Sequence, residues 1–322
     1  MWYLRKNIFY LILFIFPLLV TACNNGSNQT ENGFVTAVPN QAVLHEEGDG
    51  HDHAHVNESE ATGQLEVVVV PSELVVGPNR FAVGIFDTDG TLVQDAQVHF
   101  HYFDLSDPAN PVLESEVTAV PIHAPDGYTT IFADERMFDR AGTWGAEVQV
   151  RFPDGRADMQ RIAFNVLEDS ISITPGEKAP PITTPTLADT GGDLSQLTSA
   201  TKPNPAFYEM TLTEALSNDK PTVLLLATPA FCQTRFCGPA YEITNALYAE
   251  YGSAYNFIHV EVFTGLPDPA ANGWQYAPAM NAFGLATEPW LFVIDTSGTI
   301  TYRVEGIFTQ DEIARQLETM AN

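Results

Sequence analysis

Positive charge is scarce in this 322-residue chain: Lys and Arg total 14 against 41 Asp and Glu, for a formal net charge of −27. A surface that negative repels phosphate backbones, so nucleic-acid binding is excluded as a function class. Cysteine is scarcer still, with three in the whole chain. Long apolar runs are missing apart from Ile8 to Val20, and that one is too short for a comfortable bilayer span. No glycine-rich nucleotide loop, organic-cofactor motif or second membrane span is present. Apolar residues are plentiful, at 45%, which is ample for packed cores, and the length argues for two or three units.

Arg5 and Lys6 precede the run from Ile8 to Val20, which suits the apolar core of a signal peptide. It ends in Leu19-Val20-Thr21-Ala22-Cys23, which resembles a bacterial lipobox. That resemblance implies a lipoprotein signal over residues 1–23, with Cys23 lipidated and the protein held at the cell membrane, facing outside the cytoplasm. Export favours disulfides. With Cys23 acylated, the two remaining cysteines are even in number.

Residues 24–62 are polar, acidic and poor in large apolar side chains, so they read as a disordered tether. His45 and the alternating His51, His53 and His55 lie within it. Alternating histidines can bind zinc or copper, weakly in a flexible tract; the plainer reading is a solvated linker with incidental histidines.

Residues 63–168 carry seven alternating or β-branched runs: LEVVVV, RFAVGIF, QVHFHYF, VLESEVTAV, YTTIF, TWGAEVQVRF and MQRIAFNV. Turn signals such as Asp89-Gly90 and Pro153-Asp154-Gly155 separate them, which predicts a β-sandwich. The Ala141-Gly142-Thr143-Trp144 entry into a long strand is similar to YtkA-like immunoglobulin-type domains of exported bacterial proteins. His99, His101 and His123 could serve as copper ligands, the plainer reading being surface or packing side chains, and no nucleophile with its base is visible here. Residues 169–205, rich in Pro, Thr, Ser and Gly, read as a linker partly extended by its prolines.

Chemistry concentrates in Lys220 to Ala240, KPTVLLLATPAFCQTRFCGPA. Val223 to Ala227 reads as a buried strand, followed by a short loop, Cys232, Cys237 and Gly238-Pro239. Five residues inside one helix turn about 500° and would set the two sulfurs on opposite faces. For the pair to meet, Cys232 must lie in a loop and Cys237 near the first turn of a helix running to about Tyr251. Proline is accepted in that turn because its missing N–H costs nothing there. Amide groups at a helix start, with Arg235 nearby, favour a thiolate, so Cys237 is expected to be the more acidic thiol. A static staple, or two unpaired apolar side chains, are the plainer alternatives.

The segment 206–322 resembles a thioredoxin-like domain. Strand, loop, cysteine, Gly-Pro and helix match its first half, and FGLATEPWLFVIDTSGTITYRVEG, Phe283 to Gly306, matches its second, where Pro289 falls on the family's cis-proline. The expected fold class is thus multidomain: an all-β immunoglobulin-like sandwich followed by an α/β thioredoxin-like domain. The resemblance implies a disulfide between Cys232 and Cys237, with Pro289, Glu288, Phe231 and Arg235 beside the groove for a partner chain. Ala240 stands where the family's second cysteine would be, leaving Cys232 as the partner of Cys237; the family's convention, in which the first cysteine attacks, favours Cys232 as the attacking thiol, against the helix-start argument for Cys237. The family's buried acid, six residues before the first cysteine, is absent: Leu226 precedes Cys232 by six and Phe231 precedes Cys237 by six. Glu288 reads as a solvated surface glutamate; turned toward the sulfurs instead, its charge would disfavour the thiolate.

These readings predict a membrane-anchored, extracytoplasmic thiol–disulfide protein acting on partner-protein thiols or disulfides without a cofactor. The alternatives are copper handling of Sco-like type and a binding scaffold with a structural disulfide. Sco-like proteins use Cys-x3-Cys and a downstream histidine, whereas this spacing has four residues and no histidine follows His259. Pro229 stands where a peroxiredoxin would have threonine.

Overall fold

The computed structural model describes residues 33–37, 65–124, 127–232 and 236–320. Cys23, His51, His53, His55 and Arg235 lie outside the described residues.

Alternation of apolar and polar positions folds the first half into two facing sheets. One has the order β1 (Val35–Thr36), β9 (Ala157–Val166), β8 (Gly142–Arg151), β4 (Gln97–Asp104), β5 (Val112–Thr118). The other runs β2 (Glu66–Val69), β3 (Gly77–Phe86), β7 (Thr130–Phe138), β6 (Val120–His123). Side chains alternate across a strand, so Val98, Phe100 and Tyr102 of β4 face inward, where they meet Phe81 and Phe132 from the opposite sheet. The rings meet edge to face, Phe81 on Phe100 with centroids 5.3 Å apart, an arrangement favoured by the aromatic quadrupole. The run VLESEVTAV is two strands rather than one: at buried Ala119 the chain leaves the sheet of β4 and joins that of β7.

The tether reading needs correction at residues 33–37. Val35 and Thr36 pair in parallel with Ile162 and Ala163, and Phe34 is buried against Leu105 and Ala163. Gly145 leaves the room: a Cβ there would sit 2.5 Å from Phe34 Cε1.

The second half is built on a four-stranded sheet ordered β11 (Asn256–Val260), β10 (Thr222–Leu226), β12 (Trp290–Ile294), β13 (Ile300–Glu305). Strand β10 runs parallel to β11 and antiparallel to β12, and every residue of these three strands is buried. Continuous apolar runs are what a sheet covered on both faces requires. Val223 and Leu225 point to the side of α2 (Cys237–Tyr251) and α4 (Gln310–Met320), among Leu247, Ile313 and Leu317. Leu224 and Leu226 point to the other side, among residues of α1 (Leu212–Ala215) and α3 (Pro278–Ala282).

Residues 169–205 are not a free linker. Ile173 N–H donates to Phe283 O, Ala179 N–H to Gly298 O and Leu187 N–H to Tyr208 O, while Leu197 is buried in the terminal core. The segment is laid over the second unit, and its apolar residues cover what the helices leave bare.

The two units also touch directly. Ser72 donates from N–H and Oγ to Glu305 at 2.8 and 3.0 Å, Arg80 donates to Ile307 O at 2.7 Å, and Glu73 pairs with Arg303 at 3.2 Å. Beside these polar contacts, Phe236 and Ile307 pack on Val70, Ala82, Ile122, Ala124, Ile131 and Ala133 of the sandwich. No helix among the described residues is long and apolar enough to cross a membrane.

Candidate functional site

Strand β10 ends at Leu226, and a buried Ala227-Thr228 step leads through Pro229 to Phe231 and Cys232. Helix α2 opens on Cys237, with Gly238 and Pro239 completing its first turn. Cys232 therefore lies in the loop and Cys237 at the helix mouth, and the Cys237 N–H donates to Cys232 Sγ at 3.3 Å. That amide is one of the donors a helix start leaves without an internal partner, so the sulfur serves as its cap. The two cysteines are in the dithiol form; Cys237 is fully buried and Cys232 part-exposed.

Across from them the Glu288–Pro289 bond is cis. A carboxylate oxygen of Glu288 and both sulfurs lie within 4.8 Å of one another. Glu288 is 8% exposed, which corrects the solvated reading: it faces the cysteines. The neighbouring Thr287 hydroxyl donates to Glu305 and accepts from Trp290 Nε1 at 3.1 Å, so the loop carrying Pro289 is braced from beneath.

Burial works against the acidity expected of Cys237. The Cys237 thiol is pushed well above its ordinary value, first by burial, then by its hydrogen bond with Cys232 and the negative charges of Cys232 and Glu288. A backbone hydrogen bond from Thr228 opposes this. A helix terminus contributes at most about 2 kcal/mol. Burial disfavours the charged form, and at Cys237 it is the largest cause. The thiol expected to be acidic is thus the one whose pKa is raised.

Phe231, one residue before Cys232, meets Trp274 edge to face with centroids 5.7 Å apart. Trp274 in turn packs on Phe263, so the insertion between β11 and α3 stands beside the cysteine loop. His259 is enclosed in the core. Its Nδ1 accepts from Tyr208 Oη at 2.7 Å and its Nε2–H donates to Ala227 O at 3.1 Å. Burial takes its pKa down to about 3, so the ring is neutral and both nitrogens are committed. His99 and His101 lie on the sandwich's outer face, near Thr118 and Glu147 respectively, and His123 bonds Thr130. Among the described residues the three histidines form no metal-binding group.

A buried acid is present after all, from a neighbouring strand. Glu261 directly follows β11 and accepts from Ser199 N–H and Oγ at 2.5 and 2.6 Å. Burial raises its pKa, and it lies against Thr228, whose backbone reaches Cys237. The signal in the sequence was a single acid closing the strand-forming run Phe257 to Val260.

No protein-family model and no curated protein matches the chain. Among solved structures, a thiol:disulfide interchange protein of the thioredoxin family from Chlorobium tepidum TLS is 17% identical. The match covers 47% of this chain and 99% of that one, with a TM-score of 0.32. The pneumococcal exposed lipoprotein thioredoxin from Streptococcus pneumoniae strain TIGR4 is 18% identical over 32% of this chain and 87% of its own, with a TM-score of 0.27. CopC from Methylosinus trichosporium OB3b is 12% identical over 33% and 97%, with a TM-score of 0.23. Likeness at that level places the chain in no family, and the reading of the site rests on its geometry.

Proposed function

We infer that the second unit is a thioredoxin-like thiol–disulfide exchange domain working through Cys232 and Cys237. The carrying observation is the capping contact at the helix mouth, where the Cys237 amide meets the Cys232 sulfur at 3.3 Å, one sulfur part-exposed and the other buried behind it. In this reading Cys232 attacks a partner's disulfide: its sulfur bonds one partner sulfur, and the other partner sulfur leaves as a thiolate. Cys237 then gives up its proton and displaces the first partner sulfur. The two electrons have passed to the partner, and Cys232–Cys237 is a disulfide. Burial keeps Cys237 protonated until the mixed disulfide forms. The loop at Pro289 and the Phe231 ring border the groove for the partner chain.

The lipobox-like sequence ending at Cys23 supports siting this chemistry outside the cytoplasm, on a membrane anchor. The β-sandwich, which we take as immunoglobulin-like, holds the start of α2 through Phe236. A Sco-like copper role has little support, since His259 has both nitrogens engaged and no histidine follows it in the chain.

Insulin reduction by the full chain tests the proposal. Cys232→Ser should abolish turnover, and Cys237→Ser should stall the protein as a trapped mixed disulfide. Full activity in both variants would refute it.

A further inference from the structure

We propose that Cys232, Cys237 and Glu288 form a binding site for a divalent zinc-class cation in the reduced protein. This goes beyond exchange chemistry, and it needs both thiols but no turnover. Two sulfurs and a carboxylate oxygen from three separate chain positions lie within 4.8 Å of one another. Zinc takes sulfur at about 2.3 Å and carboxylate oxygen at about 2.0 Å, which at tetrahedral angles separates the donors by about 3.5–3.8 Å. The group therefore closes by at most about 1.3 Å to bind.

The donor set selects the ion. Two thiolates suit zinc, cobalt(II) and copper(I), but the third donor is a hard carboxylate oxygen, which favours a borderline divalent ion over copper(I). Electrostatics point the same way: three groups that each become negative converge where Cys237 and Glu288 are screened from water, and a 2+ charge relieves their repulsion. Three protein donors leave a fourth position open to water or a small ligand. Binding releases the thiol protons to solvent, and forming the Cys232–Cys237 disulfide removes both sulfur donors. Metal uptake is thereby tied to the reduced state.

The test uses the full chain, reduced with a phosphine under anaerobic conditions and titrated with cobalt(II), then with zinc in competition. The expected result is one cobalt per chain with a near-ultraviolet sulfur-to-cobalt charge-transfer band. That band should be absent from the oxidised protein and from the Cys232→Ser/Cys237→Ser variant. Because it reports sulfur ligation alone, binding by His51, His53 and His55 does not contribute to it. Glu288→Gln should weaken zinc binding by about ten-fold or more, and Glu288→His, which restores a donor, should recover it. No charge-transfer band, an unchanged affinity in Glu288→Gln, or binding of copper(I) alone would overturn the site. Insulin reduction measured on the same samples with a chelator present reports separately on exchange.

Discussion

Cys232 and Cys237 differ in what surrounds each sulfur, and in the exchange reading that difference sets their order of reaction. Cys232 is part-exposed, whereas Cys237 is buried and faces Glu288. Iodoacetamide should therefore label Cys232 at least about ten-fold faster than Cys237 in the native protein, as peptide mapping of the alkylated chain would read. Equal labelling, or Cys237 first, would contradict the assignment of roles. The pair itself was legible, because thiol spacing and the Gly-Pro step state where a helix can begin. Glu288 was not, because burial is a tertiary property and one glutamate before a proline says nothing about what folds over it. Glu261 was not legible for a related reason: it reaches the cysteine region from just beyond the end of the adjacent strand β11, not from near the cysteines in the chain.

At the scale of elements, the start of α2 is pinned from outside its own unit. Phe236, at the N-cap of α2, packs among Ile122, Ile131 and Ala133 of the sandwich. Phe236→Ala should cost about 1–3 kcal/mol in a denaturant melt, less than a full core phenylalanine because the ring is only part-buried. The same variant should speed alkylation of Cys237, since the start of α2 loses its anchor; an unchanged melt would show that the ring carries no packing load. The buried strands were legible as unbroken apolar runs such as Val223 to Ala227. Residues 169–205 misled because Pro, Thr and Gly dominate their composition, while what matters is where Ile173, Ala179, Leu187 and Leu197 come to rest. Five residues around Phe34 are too few for any periodicity to announce a strand.

Across the whole molecule, the contact between the units is centred on a carboxyl that favours its proton. Glu305 is enclosed between Ser72 and Thr287, and burial lifts its pKa from 4.5 to about 7. A raised acid contributes stability that is fully present below pH 4.5 and is lost as pH rises through about 7. The loss amounts to roughly 3 kcal/mol by pH 8. His259 acts in the opposite sense, its stability being lost as pH falls below 6.5, so the two partly cancel between them. Comparing Glu305→Gln with the native chain isolates the first effect, because His259 is common to both. The gap in stability should move in favour of the variant from pH 5 to pH 8, and parallel profiles would exclude a proton on Glu305. None of this was legible beforehand, since Ser72 and Glu305 are 233 residues apart in the chain. A docked pair of this kind joins the loop at Pro289 to the sandwich through Thr287 and Glu305, so the geometry around the sulfurs depends on both units being in place.

The most direct measurement is the reduction potential of the Cys232–Cys237 couple, read by equilibrating the full chain against glutathione or dithiothreitol buffers and trapping the thiols. The account predicts a reversible two-electron couple above about −300 mV, within reach of exchange with partner proteins. A potential far below that value, or two thiols that never form a bond, would mean that the pair is structural and that the exchange reading is wrong.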